Sequence, residues 1–129
     1  MKKILINGEN IFDIETFYQE INRVFMHNET WEIGESLDAF NDLLYGGFGE
    51  IKGKESLELI WKNFEENRKS LGLEVTLNFY KAKLKSPEIF NSKFIQEKIE
   101  DLHSGNGQTY FEIILEIIAE HPNIQLTEN

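Results

Sequence analysis

Cysteine is absent from this 129-residue chain, proline occurs twice and histidine three times. Without cysteine there is no disulfide, no thiolate metal site and no cysteine nucleophile, a usage that fits the cytosol. His27, His103 and His121 are scattered; no HExxH occurs and no Ser/His/Asp arrangement declares itself. The chain is therefore read as a non-enzyme, with no cofactor and no metal. A phosphate loop is also missing: Gly53-Lys54 is followed by Glu55, where the GxxxxGK[ST] pattern requires a hydroxyl. No apolar run is long enough to span a membrane. Met1-Lys2-Lys3 leads only into a short strand-like segment, so neither a signal peptide nor membrane association is expected, and the location is read as cytoplasmic.

Basic residues are the next scarcity. The formal net charge is −10, and its distribution is uneven. Residues 1–50 carry three basic and ten acidic side chains, and residues 99–129 carry none and six. Residues 51–98 have ten basic and seven acidic side chains and alone are net positive. If folding joins the two acidic regions, their shared field repels nucleic acid and attracts a basic protein. Direct nucleic-acid binding is accordingly not expected.

No Lys or Arg lies between Val24 and Ile51, and this stretch contains the most informative pattern in the chain. It runs Gly34-Glu35-Ser36-Leu37-Asp38-Ala39-Phe40-Asn41-Asp42-Leu43-Leu44-Tyr45-Gly46-Gly47. At helical periodicity Leu37, Phe40, Leu43 and Leu44 share one arc; Glu35, Asp38 and Asp42 share the opposite one, with Tyr45 beside them. Ser36 is the expected N-cap and the paired glycines the stop, giving a helix over about 36–45. Its anionic arc reads either as a solvated surface or as a cation-binding one. Two carboxylates four residues apart make a weak metal site when no oxygen-rich neighbours accompany them.

Elsewhere the pattern alternates short apolar strands with helices. Strands are expected at about 2–6, 57–61 and 124–127, the first largely buried, with Glu58 requiring solvent or a partner. Helices are expected at about 14–25, 63–71, 75–84, 88–102 and 108–120. The last carries Glu112, Glu116 and Glu120 as a stripe, read as a solvated face or, at Glu116, as a contact. Phe17, Phe25, Phe79, Phe94 and Phe111 fall at core spacing. His121 is read as a capping or surface residue, and Trp31 as either a cover for the core edge or a contact. The length suits a single domain over 1–129. The strand–helix order predicts an α/β fold, a small three-stranded parallel sheet with packed helices.

The acidic stretch resembles the G-E-N-L-D-A-L-x-D segment of the barstar family, inhibitors of bacterial ribonucleases of the barnase type. The opening Lys2-Lys3-Ile4-Leu5-Ile6-Asn7-Gly8-Glu9 is similar to that family's beginning, at nearly the same separation. The strand ending in Trp61 and the final helix with its following strand extend the likeness, leaving 73–105 as extra length, a helical insertion. The resemblance implies a barstar-like fold and a ribonuclease inhibitor, immunity protein or antitoxin. In that reading an acidic helix plugs the basic active site of a nuclease or of a toxin's nuclease domain. It further implies that Asp38 and Asp42 are the principal contacts and that Glu116 is a third contact acid. Glu35, Asn41, Tyr45 and Trp31 complete the expected partner-binding set. Asn41 and Gly47 stand where the family has contacting tryptophans, and Glu32 and Ile33 replace its paired tyrosines, so Trp31, Tyr45 or Phe48 is expected to supply aromatic contact. The other reading is a non-inhibitory acidic adaptor that binds a basic regulatory protein.

Overall fold

A computed structural model describes residues 1–129. Three strands, β1 (Lys2–Asn7), β2 (Leu57–Lys62) and β3 (Ile124–Glu128), form one sheet in the order β1-β2-β3, parallel at both junctions. The six α-helices are α1 (Ile14–Phe25), α2 (Leu37–Leu44), α3 (Phe64–Ser70), α4 (Leu73–Lys83), α5 (Ser92–Ser104) and α6 (Tyr110–Ala119). The expected α/β class and parallel three-stranded sheet are present. No helix is long and apolar enough to cross a membrane.

Sheet register explains why one face is the core. Ile4 pairs with Leu59 and Ile6 with Trp61, while Leu57 pairs with Ile124. These residues are all buried on the helix-covered face. The other face is open: Leu5 is 43% exposed, so β1 is less buried than its composition suggests. Period-two alternation puts Lys3, Glu58 and Thr127 on that open face. Glu58 finds partners there, accepting from Thr127 Oγ1 at 2.6 Å and facing Lys3 Nζ at 4.0 Å.

Under the sheet, aromatic rings make the densest part of the core. Phe17 stacks on Trp61 at 6.0 Å and meets Phe40 edge-on at 5.5 Å; Trp61 and Phe64 both meet Phe111. Asn67 organises their polar edge. Its Oδ1 accepts from Trp61 Nε1 at 2.7 Å, while its Nδ2 donates to the carbonyls of Gly8 at 3.1 Å and Ile11 at 3.4 Å. Gly8 is needed for this approach: a Cβ there would lie 2.1 Å from the Lys62 carbonyl oxygen.

Residues 73–105 fold as α4 and α5, packed against each other. Helix α5 begins at Ser92, capped by Asn91 Oδ1, and not at Pro87, because Ser86–Phe90 instead form turns. Phe94, expected at core spacing, is 51% exposed; on α5 the buried apolar positions are Ile95 and Leu102. A helix paired mainly with one other helix buries a narrower stripe than its sequence offers. The segment does not lie wholly clear of the acidic helix. Val75, Asn78 and Phe79 of α4 line a cleft together with Glu35, just ahead of α2.

Candidate partner-binding face

Helix α2 is fixed at both ends and along its apolar side. Ser36 Oγ accepts from the Ala39 N–H at 3.1 Å, the N-cap expected for this sequence. Phe40, Leu43 and Leu44 are fully buried. The helix stops at Tyr45, and Gly46 follows with φ +84, its carbonyl accepting from the Gly53 N–H at 2.8 Å. A Cβ at Gly46 would sit 2.2 Å from the Gly53 carbonyl oxygen, so this turn admits only glycine.

The segments that flank α2 are pinned by buried polar groups. Asn22, on α1, holds Ile33 by both backbone atoms. Its Oδ1 accepts from the Ile33 N–H at 2.8 Å and its Nδ2 donates to the Ile33 carbonyl at 3.2 Å. After the helix, the Gly49 N–H donates to Glu29 at 2.9 Å and the Glu50 N–H to the Phe25 carbonyl at 2.9 Å. The chain before α2 is thus tied to the chain after it. Asn22 owes its own position to α1, whose N-terminus carries a capping box between Asp13 and Thr16.

This framework projects Glu35, Asp38, Asp42 and Tyr45 into solvent. None of the three acids forms an ion pair within the protein. Helix α6 packs beside α2 and adds exposed Glu116 and Glu120. Glu116 accepts from Gln108 Nε2 at 2.6 Å. Glu112 serves another purpose: it closes the capping box of α6, accepting from the Thr109 N–H at 2.9 Å. Folding therefore sets the acids of residues 35–42 beside those of α6, the two acidic regions that are far apart in sequence.

Trp31 is 49% exposed and its ring lies 4.9 Å from that of Phe48, so the loops on either side of α2 share one aromatic pair. Tyr45 is 60% exposed. Asn41 is placed differently from the other expected contacts. It is half-buried, and its Oδ1 lies 2.8 Å from His121 Nε2.

His121 is the residue that sequence reasoning missed. Read as a surface or capping group, it is only 5% exposed, sits between α6 and β3, and meets the Tyr45 ring edge-on at 4.7 Å. Burial holds its pKa below the usual histidine value, opposed by the neighbouring Glu120 carboxylate. Its partner Asn41 is 80 positions away in sequence, and no local pattern connects them. No cluster of acidic or histidine side chains here is arranged to hold a metal ion.

The family model described as Barstar (barnase inhibitor) matches residues 1–88, about two-thirds of the chain, from β1 through α4. No individual curated protein matches the sequence. The matched region contains the whole of α2 and both loops that pin it. The chain belongs to the barstar family, and that membership ties it to a nuclease-inhibitor-like role.

Proposed function

We propose that this protein inhibits a bacterial ribonuclease or toxin nuclease by laying the acidic side of α2 into the enzyme's basic cleft. A nuclease cleft is positive because its substrate is a polyanion, and carboxylates held on a fixed helix can take the places of two phosphates. The observation that carries this reading is that Asp38 and Asp42 are exposed and unpaired on a helix anchored at both ends. An unpaired charge on a rigid element is available to a partner at low ordering cost.

The other residues have graded roles in this reading. Glu35 and Glu116 extend the field on either side. Trp31, backed by Phe48, and Tyr45 supply rigid aromatic area beside the charges, the kind of side chain that dominates interface energetics. Asn41 acts from behind, by fixing α2 against His121. Residues 73–105 act as an added helical module that is not needed for inhibition, with α4 reaching only the Glu35 edge of the contact surface. The inhibitor acts in the cytoplasm, as an immunity protein or antitoxin would.

The test is an RNA-cleavage titration with barnase as the probe nuclease, alongside a basic nuclease captured from the same source. Stoichiometric loss of cleavage on adding the protein supports the reading. Tight binding with full cleavage retained would replace it with a non-inhibitory adaptor that binds a basic protein. Absence of binding to either nuclease would overturn both.

A further inference from the structure

Helices α2 and α6 end side by side, and their last turns frame an open cleft of about 190 Å³. Leu44 forms part of its wall, Tyr45 and His121 add aromatic surface, Glu120 contributes a carboxylate and Lys54 an ammonium. Neither helix has a basic residue in its last turn. Two negative helix ends therefore converge here with no cation of their own, the nearest being Lys54 from the loop ahead of β2. The Tyr45 ring, held edge-on by His121 and otherwise largely open, offers a π face next to that negative potential. The carboxylate, two helix ends and an aromatic ring all favour a cation; Lys54 alone opposes one.

We propose that this cleft is a socket for a cationic side chain of the partner, an arginine in preference to a lysine, adjoining the acidic side of α2. The inference rests on the reading of the partner as a basic nuclease and specifies where a second anchor of that partner sits. A planar guanidinium can stack on Tyr45 while its N–H groups point to Glu120 and the helix ends, which a lysine ammonium cannot do at once. His121 sets the sign of the site. Its neutral ring leaves the negative potential intact, whereas its protonation adds a positive charge beside Lys54 and repels the incoming cation. The charged and titratable groups lining the cleft with His121 are Tyr45 from α2, Glu120 from the end of α6 and Lys54 from the loop ahead of β2.

The experiment needs no nuclease. The isotope-labelled protein is titrated with N-acetylarginine methylamide, and separately with its norleucine counterpart as an uncharged control, while backbone amides and the His121 ring are followed by NMR. Saturable shifts centred on Tyr45, His121 and Asn123, with arginine only, are expected. Glu120→Gln and Tyr45→Ala should each weaken the binding about three- to fivefold, as expected for an exposed charge or cation–π contact. Lys54→Ala should strengthen it, and Glu97→Gln, an exposed position of α5 outside the cleft, should leave it unchanged. Binding should also weaken as pH falls through the His121 titration. Equal shifts with norleucine, no saturable shift at the cleft, or indifference to Glu120→Gln and Tyr45→Ala would overturn the socket. Such a failure leaves the α2 reading standing, because that reading is tested by nuclease inhibition and this one by the arginine probe alone.

Discussion

The backbone N–H of Phe111 donates to the carbonyl of Leu71 at 3.0 Å, so the chain leaves the core after α3 and returns to the same point at α6. Between these residues lie α4 and α5, which pack mainly on each other. Deleting 73–105 would join Gly72 to Asn106-Gly107-Gln108-Thr109 and leave the Leu71–Phe111 junction intact. Thr76 is lost in that variant; its Oγ1 now accepts from the Tyr110 N–H at 2.8 Å. So is Phe79, 5.2 Å from the Tyr110 ring. The expected result is a folded protein destabilised by roughly 2–5 kcal/mol, the cost of removing a few well-packed side chains. It should still inhibit the nuclease. Denaturant unfolding and the cleavage assay check this; loss of inhibition with cooperative unfolding retained would place the module inside the interface.

Asn22 links the core to the entry of α2 through both backbone atoms of Ile33. Asn22→Ala leaves a buried N–H and carbonyl without partners and should cost about 1–3 kcal/mol of stability. Because the same bonds hold the loop that contains Trp31, partner dissociation should also quicken. Asn22→Asp restores only the acceptor and should be intermediate in loop order. Hydrogen exchange at Ile33 and dissociation rates measured on the three proteins distinguish these outcomes.

Two groups make stability depend on pH, in separate windows. The folded-state pKa of His121 is depressed, so the unfolded chain binds a proton more readily. Its contribution is complete above the unfolded value of about 6.5 and is lost as pH falls towards the folded value. Glu20 gives the second window. Burial raises its pKa, but bonds from Arg23, Asn10 and the Asn7 N–H outweigh this and lower it overall. Its stabilisation is present above the ordinary carboxylate range and lost on acidification below it. Thermal melts across pH should therefore show a first decline below about pH 6.5 that His121→Gln removes. A second decline at lower pH should persist in that variant and disappear in Glu20→Gln.

How much of this was legible in the sequence depends on the range of the interaction that decides each feature. Helix α2 was readable because its cap, apolar arc and glycine stop all lie within a dozen neighbouring positions, and α1 because its Asp13 cap and apolar stripe are equally local. The sheet was readable from three short apolar runs separated by helical crossovers. Phe94 misled because core spacing on a helix does not say how wide a surface that helix is given to cover. His121 was invisible for a different reason. It meets Asn41 of α2 and Tyr45, just past that helix, only in the folded chain. The pinning of the loops by Asn22, Glu29 and Glu50 was equally hidden, since each bond joins residues from separate elements.

Asp38 and Asp42 bear the decisive prediction. Both are exposed, and the buried side of α2 consists of Phe40, Leu43 and Leu44, so alanine at either acid should leave folding nearly unchanged. Stability should if anything rise slightly, because two like charges four residues apart on a helix repel by roughly 0.2–0.5 kcal/mol. In the complex the balance reverses. Removing Asp42 leaves desolvated cations of the nuclease without a counter-charge, so Asp42→Ala should cost about 2–5 kcal/mol of binding, expressed mainly in dissociation. Asp38→Ala should cost less, if its carboxylate lies nearer the rim. Added salt should act on the other rate: it screens the long-range field of the acids on α2 and α6 and slows association, while the desolvated contacts respond less. Association and dissociation rates for the wild type and both variants, measured at low and high salt against the cognate nuclease, separate these effects. Folded variants that bind and inhibit as tightly as the wild type would reduce the acids of α2 to a solvated surface and remove the active-site plug from the account of this protein.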